Sequence, residues 1–97
     1  MTVILLNPFE VPESKEQEAI EYWERCAEVM RKAPGYISTR LHRAISPDAR
    51  FHLVNMAEWQ SPEHFMAVIE SDEFKQVADG GTETFPHFPG LYEVIRT

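Results

Sequence analysis

Residues 51–62, with the sequence FHLVNMAEWQSP, predict a strand that leads directly into a helix. Side chains alternate along a strand, so one face of the strand predicted over 51–59 carries Phe51, Leu53, Asn55, Ala57 and Trp59. Ser61 then supplies a side-chain cap, and Pro62 occupies the first helical position. The stretch therefore fixes one strand, its inner face and the start of the helix that follows it.

A long helix is predicted upstream of this stretch. It extends from Glu13 to about Ala33, with Ser14 as its N-cap and Gln17 completing a capping box. Pro34-Gly35 ends the helix. Apolar residues recur along it at spacings of three and four, which predicts one buried stripe formed by Ile20, Trp23, Ala27 and Met30, with Cys26 beside it.

The predicted elements follow one another in the order βαββαβ. The strands are predicted over Thr2–Phe9, Tyr36–Ile45, Phe51–Trp59 and Leu91–Arg96. The second and third form a hairpin across the turn at residues 46–49, and Ser71 caps a further short helix. This order is typical of the α+β class and predicts a ferredoxin-like βαββαβ plait, in which a four-stranded antiparallel sheet carries the helices on one face.

The first and third predicted strands are apolar on both faces. Ile4 and Leu6 alternate with Val3 and Leu5, as Val54 and Met56 alternate with Leu53 and Ala57. The uncovered face of such a sheet is normally polar. We therefore expect a second copy of the chain to cover it, in a homodimer closed sheet against sheet.

Size and charge restrict the classes of partner. The 97 residues are expected to form a single domain, 1–97. A net charge of −7 argues against nucleic acid and against an anionic membrane surface, since both need clustered Lys and Arg. No apolar segment approaches the ~20 residues of a membrane span, and Met1-Thr2-Val3-Ile4 does not begin a signal peptide. The expected localisation is cytoplasmic.

No motif for a metal or an organic cofactor is present in the sequence. Cys26 is the only cysteine, so neither an internal disulfide nor a thiolate metal site is expected. Glycine-rich nucleotide-binding motifs and paired His, Cys or Asp ligands with metal spacing are also missing. We predict no bound metal and no cofactor.

Asn55 is the polar exception on its apolar strand face. An unpaired buried amide costs roughly 1–3 kcal/mol, so either a protein group or a ligand must bond to it. Most buried amides bond to backbone, which is the alternative for Asn55 taken alone. Trp59 four residues later, and Asn7 on an apolar strand of its own, favour a pocket instead.

Four motifs of this chain resemble the antibiotic biosynthesis monooxygenase family of dimeric α+β barrels. They are NPF at 7–9, PGY at 34–36, NMAEWQS at 55–61 and FPGLYE at 88–93. The resemblance covers essentially the whole chain. It implies the dimeric α+β barrel fold, which hosts several chemistries, so the activity has to be argued from the site residues.

Two functional subgroups of that family differ in their site residues. The quinone-forming monooxygenases use an Asn and a Trp that match Asn55 and Trp59, whereas their Tyr falls at Phe65 and their Arg near Lys75. The haem-degrading members use an Asn that matches Asn7. Their Trp and their His ligand fall at Val68 and Ala78, which leaves the iron without a protein ligand, so haem degradation is disfavoured.

The resemblance and the residues together favour a cofactor-independent monooxygenase that acts on a small aromatic compound, a phenol or hydroquinone, with molecular oxygen. The anion of such a substrate reacts with oxygen directly, so the protein has to supply a dry pocket and stabilise that anion. The expected catalytic donors are Asn55, Trp59 and Asn7. The alternative is a small-molecule-binding barrel without catalysis, which Phe65 in place of a tyrosine favours.

A general base and the substrate-binding residues complete the predicted site. The candidate bases are His42, His52, His64 and His87, of which His87 lies in a proline-flanked loop that could cap a pocket mouth. The expected substrate-binding residues are Trp23, Phe65, Lys75, Tyr36, His87 and Phe85.

Overall fold

The computed structural model describes residues 2–79 and 85–97. Its strands are β1 (Val3–Phe9), β2 (Tyr36–Arg43), β3 (Leu53–Trp59) and β4 (Gly90–Tyr92). Its α-helices are α1 (Glu16–Arg31), α2 (Pro62–Ile69) and α3 (Asp72–Asp79). None of the helices in the described part of the chain is long and apolar enough to cross a membrane.

The strands form one antiparallel sheet in the order β2-β3-β1-β4. This is the predicted ferredoxin-like arrangement, which is confirmed. β1 and β3 lie next to each other in the middle of the sheet, where Val3 is opposite Trp59 and Asn7 is opposite Asn55. The two asparagines therefore sit side by side on the same face.

The core lies between the inner face of the sheet and the helices, in two clusters. The larger consists of Val3, Leu5, Ala57, Trp59, Phe65 and Val68. The smaller consists of Val11, Ala19 and Leu53. On β3 every second residue is buried, as the alternation from Leu53 to Trp59 predicted.

Side-chain caps begin the two short helices. Ser61 Oγ accepts a hydrogen bond of 3.2 Å from the His64 backbone N–H, with Pro62 in the first turn of α2. Ser71 Oγ accepts one of 3.2 Å from Phe74 in α3. Both caps confirm the predictions from the sequence.

The predicted cap of the long helix was wrong. Glu13–Lys15 form a 3-10 turn, and α1 begins after it at Glu16 with no side-chain cap from Ser14. The Lys15 backbone N–H donates to the Pro12 carbonyl at 2.9 Å. Because the turn itself satisfies backbone groups at the start of the helix, a capping box is not needed.

A bulge near the start of β2 changes which residues face the core. Tyr36 pairs with Trp59, but Ser38 pairs with Glu58 and Thr39 with Ala57. One extra residue on β2 shifts the alternation, so both Tyr36 and Thr39 lie on the inner face. Without the bulge, Thr39 would face outward.

Three strand ends differ from the prediction by two residues or more. β2 ends at Arg43, β3 begins at Leu53, and β4 ends at Tyr92. β4 ends early because its neighbour β1 begins at Val3, and Tyr92 already pairs with Ile4, the second residue of β1. The residues after Tyr92 are exposed.

The outer face of the sheet carries apolar side chains, and none of the helices in residues 2–79 and 85–97 covers them. Met56 is 43% exposed and Tyr92 is 55% exposed. Ile4, Leu6 and Val54 on the same face are partly covered by their neighbours. The homodimer expected from this face stays a prediction.

Candidate functional site

A cavity of about 260 Å³ lies between the inner face of the sheet and the helices. The strands contribute Leu5, Asn7, Phe9, Thr39 and Asn55 to its lining. The helices contribute Tyr22, Trp23, Cys26, Ala27, Met30, Phe65, Ile69 and Phe74, and the loop before β4 contributes His87 and Pro89. The walls are therefore mainly apolar and aromatic, and the polar groups are concentrated on the sheet.

Asn7, Asn55 and Thr39 form a polar patch on the sheet, which we call the amide floor. Asn7 and Asn55 are directly opposite each other on β1 and β3. Residues in that relation have Cβ atoms about 4.5–5.5 Å apart, so one small ligand can reach both amides. Asn55 is only 9% exposed, and Asn7 and Thr39 are half-buried.

The hydrogen bonds of the amide floor are incomplete. Thr39 Oγ1 donates to Asn55 Oδ1 at 2.8 Å. Asn7 Oδ1 is buried and has no hydrogen-bond partner among the described residues. The side-chain nitrogens of the two residues, Asn7 Nδ2 and Asn55 Nδ2, donate to no described residue. Unlike Asn7 Oδ1, neither nitrogen is a fully buried atom without a partner. The floor thus leaves two amide N–H₂ groups open to a ligand.

His87 lies at the mouth of the cavity. Its Nδ1 is 2.9 Å from the Phe85 carbonyl oxygen, and its ring stacks on Phe9 with centroids 5.4 Å apart. A carbonyl oxygen only accepts, so Nδ1 carries the proton in this bond. In the neutral imidazole, Nε2 is then a proton acceptor held in position by the stacked ring.

Two further titratable groups line the helical wall. Tyr22 donates its hydroxyl to the Ala78 carbonyl at 3.4 Å, which connects α1 to α3. Burial raises the pKa of the Cys26 thiol, against smaller lowering effects from Tyr22 and Arg25. The thiol is therefore protonated near neutral pH and adds a weakly polar surface rather than a nucleophile.

Five of the predicted site residues line the same cavity. Asn7 and Asn55 lie on the sheet, Trp23 and Phe65 on the helical wall, and His87 at the mouth. They come from five different segments of the chain, which the antiparallel register and the packing of α1 and α2 bring together.

Trp59 does not line the cavity, in contrast to the expectation that its indole N–H would reach it. The side chain is 1% exposed and lies edge-on against Tyr36 and Phe65, at centroid distances of 5.8 and 5.7 Å. Its buried Nε1 has no hydrogen-bond partner in the part of the chain that the structure describes. In this conformation Trp59 packs behind Phe65, inside the core.

Three other predicted substrate-binding residues also lie away from the cavity. Tyr36 contacts Trp59 in the core. Lys75 is exposed on α3. Phe85 packs against the smaller core cluster instead.

Thr39 is the functional candidate that the sequence did not reveal. Strict alternation from Tyr36 places it on the outer face, and only the bulge brings it beside Asn55. Tyr22, Cys26 and Phe74 were also missed as lining residues, although Cys26 was placed beside the predicted stripe on α1. Helical periodicity identifies a buried face but not the part of it that stays unfilled.

The positions of the Trp and of the His ligand in the haem-degrading pattern have other roles here. Val68 is buried in the larger core cluster, and the Ala78 carbonyl accepts the Tyr22 hydrogen bond. Within residues 2–79 and 85–97, no group of three or more His, Cys, Asp or Glu side chains could hold a metal ion.

Comparison with known proteins identifies close relatives of the whole fold. The family model described as antibiotic biosynthesis monooxygenase matches residues 2–80. A crystal structure of a protein from Shewanella loihica PV-4, provisionally assigned as a monooxygenase, is 41% identical. It superposes with a TM-score of 0.83, and the match covers 99% of this chain and 96% of that one.

More distant structures share the fold alone. SnoaB, a cofactor-independent oxygenase from Streptomyces nogalater, was solved in a mutant form that is 22% identical, with a TM-score of 0.82 over 99% of this chain and 95% of its own. A protein of the EthD family from Bacillus halodurans C-125 is 23% identical, with a TM-score of 0.74 over 98% and 100%. Among curated proteins, none matches.

Proposed function

This chain belongs to the antibiotic biosynthesis monooxygenase family, and we propose that it oxidises a small aromatic phenol or hydroquinone with molecular oxygen, without a cofactor. The observation that carries the proposal is the amide floor. Two open amide N–H₂ groups in a mainly apolar cavity are donors suited to the oxygen of a phenolate.

The size and walls of the cavity favour a substrate with one or two rings. Its volume of about 260 Å³ lies just below the range of about 300–1,000 Å³ that holds drug-sized ligands. Trp23, Phe65 and Phe9 provide aromatic surface against which a flat ring can pack.

The proposed reaction begins with the phenol deprotonated and its oxygen held by Asn7 and Asn55. The electron-rich ring of a phenol with a free para C–H then attacks O₂ through that carbon. Loss of water from the resulting peroxide gives the quinone. One oxygen atom becomes the new carbonyl, and the other leaves as water with the phenolic and the ring hydrogen.

His87 is the proposed proton acceptor. Its Nδ1–H bond to Phe85 leaves Nε2 free to take the phenolic proton at the cavity mouth. The described lining holds no carboxylate, and its other titratable groups are Tyr22 and Cys26, which are weak acids. Among the described lining groups, His87 therefore offers the basic nitrogen that the proposed reaction needs.

Oxygen uptake with a panel of mono- and dihydroxy-aromatics tests the proposed reaction. We expect consumption of O₂ together with formation of a quinone by at least one panel member, and a substantial loss of rate in His87→Phe. Glu93→Gln, at an exposed position beyond β4, serves as the control. Uptake at the uncatalysed rate with every compound would refute the proposal.

A second candidate function is small-molecule binding without catalysis. Phe65 favours it, because its ring is part of the cavity wall and offers no hydroxyl to the substrate. Saturable binding of the same aromatics, without oxygen uptake, is the outcome that would establish this alternative.

A further inference from the structure

We propose that Thr39 is a positioning residue that fixes Asn55 as a hydrogen-bond donor, so that the cavity binds the ionised form of a phenol in preference to the neutral form. This inference rests on the proposed function only in placing a phenol on the amide floor. It concerns the protonation state of the bound ligand, not its oxidation.

The orientation of an asparagine amide decides what it offers a ligand. With Oδ1 toward Thr39, Asn55 presents Nδ2 to the cavity and donates; with the amide turned over, it would present oxygen and accept. An oxygen facing a phenolate would repel it. Whether Asn55 attracts or repels a bound phenolate therefore depends on whether Thr39 bonds to the oxygen or to the nitrogen of its amide.

Thr39 favours one of the two orientations. Its Oγ1 lies 2.8 Å from Asn55 Oδ1, and this is the only side-chain hydrogen bond that Thr39 makes within the described residues. If the amide turned over, Thr39 would accept from Nδ2 and its own hydroxyl hydrogen would lose its acceptor. In the observed orientation the Thr39 hydroxyl occupies Oδ1, so both hydrogens of Nδ2 remain for a ligand.

Asn7 adds a second donor beside the first. It lies opposite Asn55 in the register, and its Nδ2 is likewise open while its Oδ1 is buried. Among the described residues, the lining contains neither Lys nor Arg, and its titratable groups are Tyr22, Cys26 and His87. The two amides are thus the lining groups best placed to offset the cost of moving a phenolate out of water.

Binding of 4-nitrophenol tests this inference without any oxidation step. The visible absorption of its phenolate form reports ionisation, so titration with pH in the presence of excess protein gives the pKa of the bound ligand. We expect that pKa to be lower than in free solution for the unmodified protein. A higher value, which desolvation without donation by the floor would give, would overturn the inference.

Variants at Thr39 separate its contribution from the rest. Thr39→Val removes the hydroxyl at nearly constant volume, and we expect phenolate affinity to fall about tenfold, as for one bond to a charged group, with neutral-phenol affinity unchanged. Thr39→Ser should restore the low pKa. Ser38→Ala removes a hydroxyl from an exposed position on the same strand and should have no effect.

Each remaining outcome is decisive. An unchanged bound pKa in folded Thr39→Val overturns the role of Thr39, and Thr39→Ala serves in its place if that variant does not fold. Absence of binding overturns the inference altogether. A lowered bound pKa together with no oxygen uptake by any panel compound would reject the proposed oxidation while leaving the role of Thr39 intact.

Discussion

The amide of Asn55 joins stability to function through a single hydrogen bond. Thr39 Oγ1 donates to it at 2.8 Å, Asn7 lies opposite it on β1, and the cavity beyond them is mainly apolar. Replacing Asn55 alone leaves the Thr39 hydroxyl without a partner. Replacing both residues by apolar ones of the same size removes donor and acceptor together, which is close to neutral for stability.

This difference gives a prediction for Asn55→Leu. The single variant should lose about 1–3 kcal/mol of stability because of the orphaned hydroxyl, and Asn55→Leu with Thr39→Val should recover most of it. Turnover should fall about 10²–10³-fold in both, the usual loss for an oxyanion donor. Melting temperature and turnover, measured on the same samples, decide whether Asn55 acts on the substrate or only stabilises the core. Recovery of turnover along with stability would mean that Asn55 is only a core amide.

Individual residues show where sequence reasoning was sufficient and where it was not. Strand alternation predicted that Asn7 and Asn55 lie on apolar faces, and both line the cavity. It also placed Trp59 on the inner face, correctly, but alternation carries no information on depth, and Trp59 lies behind Phe65. Thr39 was beyond reach because a bulge has no reliable signature in one sequence.

At the scale of elements, the segments that lead into β2 and α2 depend on one glycine. Gly35 has a φ of +89°, and a Cβ added there would clash with the His64 ring. Its carbonyl also accepts from the Gln60 backbone N–H at 2.8 Å, close to the start of α2. Backbone conformation and side-chain packing therefore both require glycine at this position.

Gly35→Ala should destabilise the protein by about 1–3 kcal/mol through strain at positive φ, with the clash adding to it. The cost of the clash with His64 can be measured apart from the cost of the backbone strain. In a His64→Ala background the same substitution should cost less, because only the backbone strain remains. Denaturant unfolding of the unmodified protein, the two single variants and the double variant measures the backbone strain and the clash separately. An equal cost in the two backgrounds would show that His64 moves aside freely.

Glu16 connects the start of α1 to the β2–β3 hairpin. Its Oε1 lies 2.7 Å from His52 Nε2 and 2.8 Å from Arg43 Nε. The hydrogen bond to His52, followed by the charge of Arg43, lowers the pKa of the Glu16 carboxyl against a raising effect of burial. A carboxyl whose pKa is lowered by folding stabilises the folded state when it is ionised.

The stabilising effect of Glu16 should therefore depend on pH with a defined sign. It is fully present above the ordinary carboxyl range and is lost as the pH falls through the lowered pKa. Glu16→Gln should reduce the melting temperature at neutral pH, and its difference from the unmodified protein should shrink in acid. Glu18→Gln, which removes a charge from the same first turn, is the control. A difference that does not vary with pH would contradict this assignment.

Composition and periodicity were sufficient for the order of the elements, because each helix and strand carries its own pattern. Ser61-Pro62 and Ser71 marked helix starts through local capping, which needs only neighbouring residues. The start of α1 was misread because Glu13–Lys15 form a 3-10 turn whose bonds involve only backbone. The end of β4 was misread because its length depends on pairing with β1.

At the scale of the whole molecule, the sheet has one face packed on the helices and one face with exposed apolar side chains. Met56 lies on that outer face in β3, one of the two central strands, opposite Leu6 on β1 and Arg40 on β2. The apolar outer residues of β1 and β3 form a patch of the kind that soluble proteins usually bury against a partner. A second copy of the chain is the partner that we expect, because identical patches pair in a two-fold dimer.

Charging this face should therefore weaken self-association. Met56→Asp places a carboxylate at the centre of the expected interface, where it would be buried against its own symmetry mate, and we expect monomeric or unfolded protein. Met66→Asp is a matched control, because both methionines are 43% exposed and Met66 lies on α2, away from the sheet. Sedimentation equilibrium measures the mass, and circular dichroism reports folding. A folded monomer for the unmodified chain at all concentrations, or equal dissociation by Met66→Asp, would contradict a dimer formed through the outer face.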